Sequence, residues 1–73
     1  MADRVVTADI AGAVFSIDVA VGEAVAVDQA LCVLESMKMH IPVESPAAGT
    51  VAEILVAEGD TVAEGQALVR LTL

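Results

Sequence analysis

One cysteine and one histidine, Cys32 and His40, are all that this chain of 73 residues offers for cross-linking. A disulfide framework needs pairs of cysteines and a structural zinc site about four such ligands, so neither device can hold the chain together. Bases are equally scarce. Arg4, Lys38 and Arg70 face eleven acids, giving a net charge of -8. That balance argues against nucleic acid and against an anionic membrane surface as partners. No uncharged apolar run approaches the ~20 residues that span a bilayer. Asp3, Arg4 and Asp9 interrupt any signal-peptide core. A single unpaired cysteine suits a reducing compartment, so the expected location is cytoplasmic. The expectation is one domain covering residues 1-73, with Met1 as the start of a complete gene product.

What the chain does have is a 58% apolar content dominated by Ala and Val. So small a domain must find its stability in a regular core when it has no staples. The regularity is visible as an internal repeat: residues 11-36 align with 48-73 at a constant offset of 37, without a gap. Thirteen of the 26 pairs are identical, among them Gly12/Gly49, Val14/Val51, Gly22/Gly59, Gln29/Gln66, Leu31/Leu68 and Leu34/Leu71. Two copies are too few for a solenoid and suit a pair of halves related by a pseudo-two-fold axis.

Each half reads as strand rather than helix. Val14, Ser16 and Asp18 alternate with Phe15, Ile17 and Val19, and Val51, Glu53 and Leu55 alternate with Ala52, Ile54 and Val56. Alternation with β-branched residues is the signature of a strand. Turns follow at Gly22 and Gly59, where glycine supplies a positive φ. Short strands at Ala24-Val27 and Thr61-Ala63 lead to second turns at Asp28-Gln29 and Gly65-Gln66. Strands at Ala30-Glu35 and Ala67-Thr72 end each half. Carrying the offset backwards pairs Arg4-Thr7 with Ile41-Glu44. The sum is an all-β fold of eight short strands in two facing four-stranded antiparallel sheets. Arg70 is expected to face water, which turns Val69 and Leu71, and by the repeat Cys32 and Leu34, inward.

The copies differ where the first continues as Glu35-Ser36-Met37-Lys38-Met39-His40-Ile41-Pro42 and the second ends. This segment, 35-40, joins the two halves as a hairpin with Lys38, the only lysine, at or near its tip. Glu-Ser-Met-Lys-Met, followed by Ile-Pro-Val-Glu-Ser-Pro-Ala-Ala-Gly-Thr-Val, resembles the biotin-attachment motif of biotin carboxyl carrier proteins. The resemblance covers nearly the whole chain and is closest to small stand-alone biotin-attachment proteins. It implies a barrel-sandwich hybrid, a flattened eight-stranded barrel with pseudo-two-fold symmetry. It implies that Lys38 receives covalent biotin from a biotin ligase, by acylation from biotinyl-adenylate. Met37 and Met39 match the flanking methionines that mark biotinyl domains, and Glu35 matches the acid three residues before the lysine, a possible contact for the ligase. Gly12 and Gly49 match the turn glycines before the second and sixth strands. The family often has Pro-x-x-Gly-Thr in both halves. Here the second half has Pro46-Ala47-Ala48-Gly49-Thr50 and the first has Asp9-Ile10-Ala11-Gly12-Ala13. The gapless repeat leaves no room for the protruding thumb of some bacterial carriers.

The resemblance further implies a non-catalytic carrier subunit of a biotin-dependent carboxylase, an acyl-CoA carboxylase for example. Its biotin would be carboxylated on a biotin carboxylase and would deliver the carboxyl group at a carboxyltransferase. A flexible lysine stem on a stiff hairpin suits such shuttling, because tethering replaces a bimolecular search with a high local concentration. Amide formation needs the neutral amine, and no base beside Lys38 is evident, so the ligase must remove the proton. Two other functions fit the same fold: a lipoyl carrier of a 2-oxo acid dehydrogenase or glycine cleavage system, and an unmodified adaptor. Lipoyl lysines usually sit in Asp-Lys-Ala, whereas Lys38 has methionine on both sides. Of the remaining residues, Glu35 is first a solvated strand end and His40 a surface strand residue rather than a ligand. Cys32 reads as a small buried hydrophobe, and Pro46 and Gly49 as turn formers. Inward packing of Met37 or Met39 is the alternative to their role in the motif.

Overall fold

A computed structural model describes residues 2-73. Eight strands follow one another: β1 (Asp3–Thr7), β2 (Gly12–Ile17), β3 (Ala24–Val25), β4 (Ala30–Ser36), β5 (Met39–Glu44), β6 (Gly49–Ile54), β7 (Thr61–Val62) and β8 (Ala67–Thr72). They form two four-stranded antiparallel sheets, in the orders β1-β8-β6-β3 and β5-β4-β2-β7. This is the expected all-β sandwich. Each sheet takes two strands from each half of the repeat.

The halves interlock through their short strands. β3 of the first half pairs with β6 of the second, and β7 of the second pairs with β2 of the first. Backbone bonds repeat the exchange at the 37-residue offset. Gly22 N donates to Val51 O and Gly59 N to Val14 O, both at 2.8 Å. Ser45 N donates to Gln29 O and Ala8 N to Gln66 O, at 2.8 and 2.9 Å. Gly22 and Gly59 hold φ near 93° and 92°, as their turns require, and Asp28 occupies the left-handed region where the other copy has Gly65. Gln29 and Gln66 close the second turns by accepting from Ala26 N and Ala63 N through Oε1, both at 3.0 Å. Their identity in the repeat has that local cause. The first half makes the same connection before β2 without a proline, since Asp9 and Ile10 bend the chain where Pro46 and Ala47 do in the second.

The core is aliphatic. Leu31, Leu34, Leu68 and Leu71, two pairs of repeat equivalents, are fully buried. Each contributes about 1.5–3 kcal/mol by leaving water. Cys32 and Val69 are buried with them, as the exposure of Arg70 predicts. Arg70 lies on the outer face, 3.1 Å from Asp3 and 3.4 Å from Glu53 on the strands either side. Burial pushes the Cys32 thiol up from its ordinary pKa, and the Asp18 charge adds to the shift. The thiol therefore stays neutral and unreactive in the folded protein.

Two expectations need correction. Unbroken alternation sets Phe15 on one face with Ile17 and Val19. Instead the pairing of β2 with β4 slips between Val14 and Ser16, and β6 with β8 slips between Val51 and Glu53. Phe15 and Ala52 are the extra residues of these two bulges, which reverse the phase of the alternation. Val14 and Val51 thus point inward beside partly buried Ile17 and Ile54, and Phe15 stands out in solvent. The second correction concerns glycine. Gly12 and Gly49 are not turn residues; each opens a strand. A Cβ on Gly12 would lie 2.5 Å from Glu35 O, and one on Gly49 2.7 Å from Thr72 O. Glycine is needed there because two backbones meet.

Candidate functional site

The β4–β5 hairpin carries the candidate site. Its last pair is Ser36 with Met39, leaving Met37 and Lys38 as a two-residue loop. Their φ values are 53° and 66°, both left-handed, as a type I′ turn demands. Such turns favour Asn-Gly because a Cβ is strained at positive φ. Neither methionine nor lysine relieves that strain. The turn requires both left-handed residues but not methionine and lysine, so side-chain identity matters more here than turn stability.

Below the tip the hairpin is stiff. Leu34 of β4 is fully buried, Val43 of β5 is buried, and β2 lies along the other side of β4. Gly12, at the start of β2, approaches within 3.4 Å of the Ser36 side chain, measured from its ideal Cβ position. At the tip everything is exposed. Met37 is 92% and Met39 64% accessible, and Lys38 is exposed between them. Neither methionine packs inward. Among the described residues Lys38 joins no ion pair.

The Asp3–Thr72 pair is not part of this tip. β1 runs from Asp3, paired with Thr72, to Thr7, and a four-residue link then reaches Gly12 beside Ser36. The Asp3–Thr72 pair and the Gly12–Ser36 approach thus lie at different ends of the β1 to β2 path, in a body 37 Å long and 17 Å across. A groove of about 250 Å³ runs between β1 and β5, lined by Arg4, Val5, Thr7, Asp9, Val43 and Pro46. Lys38 takes no part in it.

Glu35 and His40 form the cross-strand pair next to Ser36 and Met39, both exposed on the outer face. His40 Nε2 and Glu35 Oε2 are 3.3 Å apart. The His40 ring stacks on Phe15, with centroids 4.1 Å apart and planes 29° from parallel. Sequence reasoning placed Glu35 and His40 on the surface, as found, but missed Phe15. The available signal was that the only aromatic of the chain stands at a position where the repeat is broken, opposite Ala52.

A carrier tip of this kind has known relatives. The sequence profile described as "Biotin-requiring enzyme" matches residues 4–71. The chain belongs to the biotin/lipoyl attachment family. A biotin/lipoyl attachment protein of Bacillus subtilis is 37% identical over 67 residues, 92% of either chain. The dihydrolipoyllysine-residue acetyltransferase component of the pyruvate dehydrogenase complex of Azotobacter vinelandii is 42% identical over 60 residues, 82% of this chain and 9% of that one. Among solved structures, a single-chain, multi-domain long-chain acyl-CoA carboxylase superposes with a TM-score of 0.90 at 30% identity, covering 96% of this chain and 7% of that one. This attachment domain spans a tenth or less of the length of the large carboxylases and acyltransferases it matches. Family membership makes it a carrier of the biotin/lipoyl type, with relatives on both sides of that divide.

The strain at the tip has a measurable consequence. Met37→Asn should raise stability by about 1 kcal/mol, because asparagine tolerates the left-handed region at the first position of a type I′ turn. Urea unfolding of the two proteins would show it as a higher midpoint at constant slope. An unchanged or lower midpoint would mean that Met37 carries no strain at φ 53°.

Proposed function

We propose that this attachment domain is a biotin carrier, with Lys38 as the attachment point. One observation carries the reading: the only lysine stands in a strained two-residue turn, at the exposed tip of a hairpin, between two exposed methionines. The chain supplies a primary amine on a mobile stem and a stiff base beneath it. Met37 and Met39 present flexible, polarizable side chains to successive partners. Biotin bound there supplies a ureido nitrogen that takes up and gives back a carboxyl group.

The partners on this reading are a biotin ligase, a biotin carboxylase and a carboxyltransferase, and the domain itself catalyses nothing. Glu35, exposed three residues before Lys38, is available to the ligase. The cytoplasm is the compartment the reading includes, supported by the single unpaired Cys32.

The lipoyl alternative shares the fold, and Met-Lys-Met in place of Asp-Lys-Ala is the ground for preferring biotin. Intact mass of the protein from its native host distinguishes a biotinyl adduct, a lipoyl adduct and an unmodified adaptor. With purified enzymes, a biotin ligase should modify the domain far faster than a lipoate ligase does. Equal or reversed rates would reject the biotin assignment.

A further inference from the structure

The pseudo-two-fold symmetry supplies an internal control for Phe15, near the tip. The bulge that carries Phe15 recurs in the second half with Ala52. The fold therefore asks only for a small side chain there. Phenylalanine occurs in the one copy that leads to the Lys38 hairpin, and it is 53% exposed. Leaving a large apolar ring in water gives up part of the burial energy a phenylalanine otherwise contributes. The ring is held by its stack on His40, and His40 is held by Glu35. The result is a flat apolar surface beside a carboxylate and an imidazole, on the outer face of β2, β4 and β5.

This surface lies within reach of the arm. His40 is two residues from Lys38, so their Cα atoms lie at most about 7 Å apart. A lysine stem extended by a five-carbon acyl chain is longer than that and can fold back. The bicyclic ring of biotin has an apolar body and a ureido edge with two N–H donors and one carbonyl acceptor. The ring face suits the apolar body. With His40 Nε2–H donating to Glu35, the free carboxylate oxygen and His40 Nδ1 are two acceptors for the two ureido N–H groups, and the ureido carbonyl stays in water. Among the described residues, the side-chain contact to Glu35 uses Oε2, which leaves Oε1 for a donor.

We propose that Phe15, His40 and Glu35 form a resting platform for the biotin ring between its visits to partner enzymes. The inference rests on Lys38 being the biotinylated residue. The platform lowers the search volume of the arm without fixing it, since ordering so many rotors opposes the contact. Binding is therefore partial and easily displaced by a partner.

Proton NMR of the biotinylated full chain tests this. The Phe15 ring current should move the biotin ring protons upfield of their positions in free biotinyl-lysine. It should also give cross-relaxation between those protons and the Phe15 ring. Phe15→Ala, which copies Ala52, and Phe15→Leu should both abolish the shift while the amide spectrum keeps its strand dispersion. Biotin resonances identical to free biotinyl-lysine in the wild type would overturn the platform, as would a shift that survives both substitutions. Intact mass recorded on the same sample separates the two claims. A missing adduct, or one located away from Lys38, refutes the attachment reading and the platform with it. An adduct on Lys38 without the shift refutes the platform alone.

Discussion

Lys38→Arg should fold as the wild type does and yet take up no biotin. Lys38 is the only lysine, so the substitution removes every side-chain amine from the chain. Arginine keeps the positive charge but stays protonated and cannot accept an acyl group. Its backbone demands are those of lysine, so the left-handed φ of 66° is no harder to adopt. The side chain is exposed and joins no ion pair among the described residues, so stability should change by no more than about 0.5 kcal/mol. The protein would be incubated with biotin ligase, ATP and biotin, then probed with streptavidin. The expected result is complete loss of signal alongside an unchanged urea midpoint. A signal at the wild-type level would put the attachment point elsewhere, on the N-terminal amine or another nucleophile, and the carrier reading of Lys38 would be withdrawn.

Gly12→Ala is expected to be the costliest substitution of a single methyl group. The new Cβ would lie 2.5 Å from Glu35 O and 3.2 Å from its carbonyl carbon, both backbone atoms that no rotamer change can move. β2 must draw away from β4, or β4 must shift just below the hairpin tip. A loss of about 3 kcal/mol is expected for overpacking of this kind. A domain of this size has roughly 4–11 kcal/mol in total, at about 0.05–0.15 kcal/mol per residue. Gly59→Ala provides the contrast. Its φ is near 92° but its Cβ would meet nothing within 4 Å, so it should lose only about 1 kcal/mol of conformational strain. Urea denaturation of both variants decides the matter. A Gly12→Ala loss no larger than that of Gly59→Ala would mean that the strands part at little cost.

Much of the architecture was legible because the repeat states it twice. Turn positions at Gly22 and Gly59 follow from a residue type with a backbone reason to be there. The inward set Cys32, Leu34, Val69 and Leu71 follows from the exposure of Arg70 and the offset of 37. The hairpin tip followed from where the copies cease to match. Less legible was the role of Gly12 and Gly49, because a glycine looks the same in a sequence whether it serves a positive φ or a close approach. The stack of His40 on Phe15 joins strands distant in the chain, and only the break of the repeat at Phe15 hints at it.

By itself, the sequence determined the strand count, the turns, the two-fold arrangement and the isolation of Lys38 at the junction of the halves. These are local properties repeated at a fixed interval. The tertiary structure decided which strands pair. β3 and β7, two residues each, find partners in the opposite half, so neither half completes its sheets alone. It also decided which way Phe15 points. Alternation along one strand assigns faces only while the pleat is unbroken, and a bulge is a property of two strands together. The slip between β2 and β4 turned the one aromatic side chain out of the core and set it beside the hairpin that carries the lysine.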